Sequence, residues 1–179
     1  MLPFEVVPVE AAAKATRHAQ VIITDGQASS HDDELKNLSA GADLVLLPTT
    51  PQARSVELTV ELSSILRQMD TMHAALLVKV DSRKQRLAQE ARQILEGFDV
   101  DVMQAEIPLL AAFEKAEVEG VCVSNAVDDR GRADLRRMGG WAAYCQAAVQ
   151  IRDRLSAVTP NAVSYTHLRA HETAYQVGC

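Results

Sequence analysis

Short apolar runs alternate with longer amphipathic stretches along this chain, a pattern that predicts a parallel β-sheet connected by helices. The predicted strands are residues 21–24, 43–47, 74–80, 100–105 and 121–123. Runs of this length, rich in β-branched residues and bounded by turn formers, are typical of strands buried on both faces. With a helix after each strand, the sequence predicts an α/β fold with an open, mostly parallel sheet and helices on both faces.

The helical stretches carry apolar residues three or four positions apart, which predicts the faces that meet the sheet. The predicted inward stripes are Leu58, Leu62, Ile65, Leu66 and Met69 in the first long helix, and Leu135, Met138, Ala142, Cys145 and Val149 in the last, which spans about residues 133–155. Gly97 and Gly120 are predicted to end two helices between them. Within the last helix, Gly139 and Gly140 each cost about 1 kcal/mol relative to alanine.

Composition fits one compact domain, because 179 residues that are 47% apolar can bury a substantial core. The apolar runs are strand-sized, far short of the roughly 20 residues of a transmembrane helix. No basic flank followed by a long apolar stretch opens the chain, so no secretory signal is expected. Three widely spaced cysteines form neither a disulfide framework nor a metal motif. These features predict a cytoplasmic protein.

The last sixteen residues do not continue the preceding pattern. The run SYTHLRAHET, residues 164–173, looks like the in-frame translation of a transposon-type sequencing-library adapter. His167 and His171 stand four apart, a spacing that on a helix can bind a metal. An artefactual tail is favoured over that site. The expected domains are therefore residues 1–163, a partial α/β domain, and residues 164–179, a non-native tail.

Asp25 is the strongest candidate for chemistry. It follows the apolar run of residues 21–24 and opens a polar turn, residues 26–30. In open parallel sheets, ligands bind at the carboxyl ends of strands. A carboxylate placed there can hold magnesium through a water and respond to a γ-phosphate. The alternative role is to cap the following turn or helix. The acidic run of residues 31–34 complements a helix dipole and is not read as a metal site.

Four segments, taken in order, resemble the ParA/MinD class of partition ATPases over about residues 19–155. Residues 21–25 are similar to the Walker B strand, and residues 43–48 to the strand that ends in proline before the next helix. Residues 80–83 with Leu87 are similar to the family's segment after the following strand. The loop and helix over the nucleotide base are matched by Ile107-Pro108 with Phe113, Ala116, Gly120 and Val123. Many relatives have prolines after the aspartate of switch II. This chain has Gly26-Gln27-Ala28 there, which indicates a divergent branch.

The resemblance implies a P-loop NTPase fold, incomplete here, with ATP and magnesium as cofactors of the whole protein. It assigns Asp25 to catalysis and magnesium, and it assigns Asp25, Gln27, Ile107 and Pro108 to nucleotide contact. Ordinary turn polarity also accounts for Gln27. The resemblance further implies a homodimer around nucleotide, a partner protein of the ParB type, and a role in partitioning a chromosome, plasmid or other cargo. The sequence does not identify the cargo.

The phosphate-binding loop is missing from the sequence, which contains no GxxxxGK[ST] segment. We therefore expect a fragment, truncated at both ends, that does not itself bind ATP or magnesium. Two alternatives stay open. One is a catalytically dead α/β scaffold that serves protein interaction. The other is a receiver-like signalling module, although Pro48 stands where a receiver needs its phosphate-accepting aspartate.

Two groups of basic residues are candidates for non-specific contact with DNA phosphates. The candidates are Arg83, Lys84 and Arg86 in one group, and Arg136 and Arg137 in the other. Phosphate contacts by such clusters are independent of DNA sequence and weaken steeply with salt. The net charge of −6 disfavours broad affinity for nucleic acids, and solvated helix faces are the alternative interpretation.

Overall fold

A computed structural model describes residues 5–8, 17, 19–26, 36, 39, 41–125 and 135–158. Its elements are β1 (Val45–Thr49), α1 (Ala53–Gln68), β2 (His73–Val80), a 3₁₀ turn (Ser82–Lys84), α2 (Gln85–Gly97), β3 (Val102–Pro108), α3 (Ala111–Glu119) and α4 (Leu135–Val158). Gln27, which the resemblance assigns to nucleotide contact, and the tail from residue 159 lie outside the described residues.

The three strands form one parallel sheet in the order β1-β2-β3. Leu47 pairs with Ala75 in β2, and Ala75 pairs in turn with Val102 in β3. Each connection between neighbouring strands passes through a helix, as parallel pairing requires. The predicted α/β fold with an open parallel sheet is confirmed.

Helices cover both faces of the sheet, and alternate residues of β2 supply the two cores. On one face, α1 and α2 pack against the strands through Val56, Ala75, Leu77, Val80, Ala88, Ala91, Leu95, Val100 and Val102. On the other face, α4 packs through Ala143 and Ala147 on Ala74, Leu76, Met103, Ala105 and Ile107. Because both faces of β2 are buried, its sequence is nearly continuous in apolar residues, as expected for a central parallel strand.

Three helices end in the same left-handed turn. The residues with positive φ at these helix ends are Asp70 (53°) after α1, Asp99 (57°) after α2 and Gly120 (63°) after α3. In each case the next amide reaches back to a carbonyl in the last helical turn, for example from Val100 to the oxygen of Leu95 at 3.1 Å. Gly120 is confirmed as a cap. Gly97 is instead the last residue of α2, and Asp99 takes the left-handed position.

The predicted strands at residues 21–24 and 121–123 are wrong for this structure. Val21 is 77%, Ile22 59% and Ile23 90% exposed, and the segment pairs with no described strand. An extended apolar run buries its side chains only within a sheet, and the described sheet ends at β1. Residues 121–123 instead close α3, since the amide of Val121 donates to Ala116, and then enter a turn.

The inward stripes of α1 and α4 are rotated from their predicted positions. In α4, Met138, Ala142, Cys145 and Val149 are exposed, whereas Gly140, Ala143 and Ala147 are buried; the side chain of Leu135 lies outside the described set. The helix carries two apolar stripes, and the one with smaller side chains allows a closer approach to the sheet. In α1, Leu66 is buried as predicted, but Val56, Thr59 and Ser63 complete that face. Thr59 can be buried there because its hydroxyl bonds to the hydroxyl of Thr49 and the carbonyl of Ser55, and Ser63 because its hydroxyl bonds to the ring of His73.

We predict that alanine at the two adjacent glycines of α4 has opposite effects on stability. A Cβ at Gly139 meets nothing within 4 Å, so Gly139→Ala should raise the free energy of unfolding by about 0.5–1 kcal/mol through helix propensity. A Cβ at Gly140 would lie 2.8 Å from Cζ of Phe113 and 3.1 Å from Cδ1 of Leu110. Gly140→Ala should therefore lower the free energy of unfolding by about 1 kcal/mol. Urea denaturation measures both changes, and equal stabilisation would contradict the close packing of α4 on α3.

Candidate functional site

The carboxyl ends of the three strands form the edge of the sheet where chemistry is expected. Thr49 ends β1, Val80 ends β2 and Pro108 ends β3, and Val80 pairs directly with Pro108. The chain beyond β3 stays at this edge, because the amide of Leu109 donates to the carbonyl of Val80 at 2.9 Å. Thr50, Asp81 and Leu109 are therefore the first residues outside the sheet.

A buried hydroxyl network joins the end of β1 to the start of α1. The hydroxyls of Thr49 and Thr59 are 2.8 Å apart, and Thr59 also donates to the carbonyl of Ser55 at 2.9 Å. The amide of Thr50 donates to Oγ of Ser55 at 3.0 Å. Each hydroxyl is bonded within the fold, so these residues hold the loop after β1 in place and do not offer a free nucleophile.

Asp81 and Arg83 form a closed unit after β2. The Asp81 carboxylate accepts hydrogen bonds from the Arg83 amide at 2.9 Å and from its Nε and Nη2 atoms at 3.1 Å each. These bonds, led by the side-chain pair, hold the pKa of Asp81 below its ordinary value and raise the pKa of Arg83. The carboxylate also caps the 3₁₀ turn that leads into α2.

The nucleotide-contact residues predicted from the resemblance are only partly brought together. Pro108 lies at the carboxyl edge, but as the last residue of β3 and not in a loop as predicted. Ile107 is also in β3, and its buried side chain packs in the core on the α4 face. Asp25 is exposed in the unpaired segment before residue 27. The predicted strand ended at residue 105, whereas β3 continues to Pro108. Residues 107–108 were therefore assigned to the following loop, although they belong to the strand.

The predicted DNA-contact residues have mixed surroundings. Arg83 is bonded to Asp81, and Arg86 forms an ion pair with Glu90 at 2.8 Å, whereas Lys84 is exposed. Arg136 and Arg137 lie in the first turn of α4, and their side chains fall outside the described part of the chain. Exposed ion pairs contribute at most about 1 kcal/mol, so an anionic partner can compete for Arg86.

Within residues 5–8, 17, 19–26, 36, 39, 41–125 and 135–158, no group of three His, Cys, Asp or Glu residues could hold a metal ion. The cysteines at 122 and 145 are free thiols.

The sequence matches no protein-family model and no curated protein. Among the described residues, no helix has both the length and the apolar character needed to cross a membrane. The function is therefore inferred from the residues and the fold of this chain.

Sequence reasoning missed a conformational feature at the carboxyl edge. Lys79 has a left-handed backbone, with φ of 54°, inside the irregular pairing between Leu77 and Val80. A signal was present in the sequence, since strict alternation after Ala75 and Leu77 would place the lysine on the apolar α1 and α2 face. Val80 occupies that face instead.

The Asp81–Arg83 unit predicts a definite pH dependence of stability. Because the pKa of Asp81 is lowered in the folded state, its contribution is present above the unfolded pKa, about 3.9, and is lost as the pH falls through the folded value. Asp81→Asn should therefore reduce stability at pH 6, and its difference from wild type should shrink towards pH 2. Denaturant titrations of both proteins across this range measure the difference. A difference independent of pH would show that the carboxylate charge contributes nothing.

Proposed function

We propose that this chain is part of a ParA-like P-loop ATPase whose sheet continues beyond β1. The observation that carries the proposal is the unfinished edge of the sheet. β1 has no described strand on its outer side, and the apolar residues 21–24 pair with no described strand. In the proposed parent, a strand leading to the phosphate-binding loop lies between them. The residues of that strand are not among those described.

The backbone of β1 supports a missing neighbour. The amide of Val45 donates to the carbonyl of Met72 in β2 at 2.9 Å, so the alternate residues Leu46 and Pro48 direct their backbone groups away from β2. Pro48 has no N–H to offer, which suits it to an outward position. The amide of Leu46 and the carbonyls of Leu46 and Pro48 are available to another strand.

The helix above β1 supports the same conclusion. Val60 lies on the flank of α1 that faces α2, where it shares a groove with Ile94 and Phe98. At 100° per residue, the stripe of Leu58, Leu62, Ile65 and Met69 lies on the opposite flank. That flank points beyond β1, Leu58 is 41% exposed, and the other three residues are half-buried. A further strand beside β1 would cover this apolar flank.

In the proposed parent, Asp25 stands at the carboxyl end of the strand next to the phosphate-binding strand. There it would contribute a carboxylate to magnesium, and the residues around Pro108 would lie near the base. Catalysis in this class depends on positioning and charge neutralisation, so we expect a chain without the phosphate cradle to be inactive. The proposal includes a cytoplasmic homodimer that closes around ATP, a ParB-type partner protein and a partitioned cargo.

One observation favours the alternative of an interaction scaffold without catalysis. No charged residue occurs between positions 138 and 151 of α4, and Met138, Trp141 and Val149 on this stretch are at least 46% exposed. An exposed apolar helix face is typical of a protein contact surface. The coding sequence upstream of residue 1 separates the two readings, since only the ATPase requires GxxxxGK[ST] there.

For the parent protein, once the upstream coding sequence is restored, we predict that Asp25→Ala leaves the fold intact and lowers ATP hydrolysis by at least about 100-fold. The reason is the loss of a magnesium-holding carboxylate from a site that works by charge neutralisation. Steady-state phosphate release measures the rate, and circular dichroism checks the fold. Asp32→Ala, in the acidic run expected to complement a helix dipole, is the matched control and should retain activity. Unchanged turnover in Asp25→Ala would reassign this residue to capping.

A second prediction for the parent concerns DNA. Replacing Arg136 and Arg137 with alanine should flatten the dependence of log K on log salt by up to about 2 units per protomer, because each lost phosphate contact removes about 0.9. Fluorescence anisotropy with a random duplex at several salt concentrations measures the slope. Replacing Arg54 and Arg152, which are exposed and paired with Glu57 and Asp153, removes the same charge as a control. If both double variants give the wild-type slope, the predicted DNA contact is wrong.

A further inference from the structure

Lys79 is the residue in the described structure whose backbone conformation is least explained by the fold. Of the four residues with positive φ, Asp70, Asp99 and Gly120 terminate helices. Lys79 lies inside β2, where φ of 54° has no capping role. Outside glycine, asparagine and aspartate, the left-handed region is uncommon and carries a steric cost. A strained residue of this kind is a reason to look for a function.

The local pairing shows what the conformation does. Alternation along β2 directs Ala75 and Leu77 to the core formed with α1 and α2, and residue 79 would come next. The register shifts between Leu77 and Val80, and Val80 is buried in that core instead. Lys79 is therefore the extra residue of a bulge, and it is exposed at the carboxyl end of the central strand. Bulges commonly redirect a side chain beside a functional site.

The charges around Lys79 favour an anionic ligand. No hydrogen bond or ion pair joins its ammonium group to another described residue. The nearest carboxylate along the chain, Asp81, accepts hydrogen bonds from Nε and Nη2 of Arg83. Lys84, one turn further on, is also exposed. The carboxyl edge of β2 thus presents unneutralised positive charge where parallel sheets bind ligands.

We propose that Lys79 is a ligand-contact residue whose ammonium group binds the phosphate groups of a small polyphosphate ligand at the carboxyl edge of β2. A small ligand is favoured over DNA because the position lies among strand ends and not along a helix face. A single lysine without a surrounding cradle binds such an anion only in the millimolar range. The proposed contact uses only residues of this chain. If the restored parent fails to hydrolyse ATP, the proposed contact of Lys79 is therefore not contradicted.

The test uses the full 179-residue chain and sodium tripolyphosphate as the probe. Backbone amide NMR signals of residues 79–82 should shift saturably at millimolar tripolyphosphate. Lys79→Met, which removes the charge and keeps a side chain, should weaken binding at least tenfold, whereas Lys84→Met should change it less than about twofold. Equal binding by Lys79→Met and wild type would overturn the proposal. Binding of a short DNA duplex that depends on Lys79, without binding of tripolyphosphate, would replace the small ligand with nucleic acid and overturn it as well.

A second variant tests whether the conformation is strained. Lys79→Gly should raise the thermal midpoint by about 2–4 °C, because glycine adopts positive φ at no steric cost, and it should lose tripolyphosphate binding as Lys79→Met does. Asp99→Gly, at a left-handed residue with a capping role, gives the scale of this relief. The gain at Lys79 should be at least as large, since aspartate tolerates the region better than lysine. A lower thermal midpoint for Lys79→Gly than for wild type would show that Lys79 is not strained and would contradict the inference.

Discussion

Backbone groups along the edges of a parallel sheet need partners in a further strand, in side chains or in water. In this protein the two outer strands differ. Along β3, the carbonyl of Met103 accepts a hydrogen bond from Arg92 at 2.9 Å, and the amides of Gln104 and Ala105 donate to Oε1 of Gln150. Arg92 is also paired with Glu106. No described residue closes β1 in this way. Among the described residues, the outer edge of β3 is therefore bonded to side chains and the outer edge of β1 is not, as the proposal of a further strand beside β1 expects.

The same asymmetry accounts for the distribution of apolar surface. Around β2 and β3, small residues such as Ala143 and Ala147 of α4 and Ala88 and Ala91 of α2 allow close packing on the sheet. On the β1 side, the outer flank of α1 is left exposed or half-buried, and the segment of residues 21–24 is exposed as well. In the proposed parent a further strand would cover the apolar flank of α1 beside β1, and without that strand we expect the isolated chain to aggregate.

The sequence predicted the fold class and the order of the central elements, because strands buried on both faces have a strong apolar signal. The prediction of which side chains of α1 and α4 are buried against the sheet was less successful. Helix α4 carries two apolar stripes, and the choice between Met138 and Ala143 as the inward residue depends on how closely the helix approaches the sheet. Residues 21–24 have a strand pattern, but a strand forms only with a neighbour, and this depends on residues elsewhere.

The candidate site was predictable only in part for a similar reason. Pro108 was placed at the nucleotide edge by family order, and the structure has it at a strand end. The pairing of Arg83 with Asp81 and the left-handed conformation of Lys79 depend on local geometry that periodicity does not report.

The proposal of a further strand beside β1 is tested most directly by hydrogen exchange at the Leu46 amide. We predict rapid exchange in this chain and strong protection in the parent with its upstream segment. Strong protection in the dilute isolated chain would contradict it.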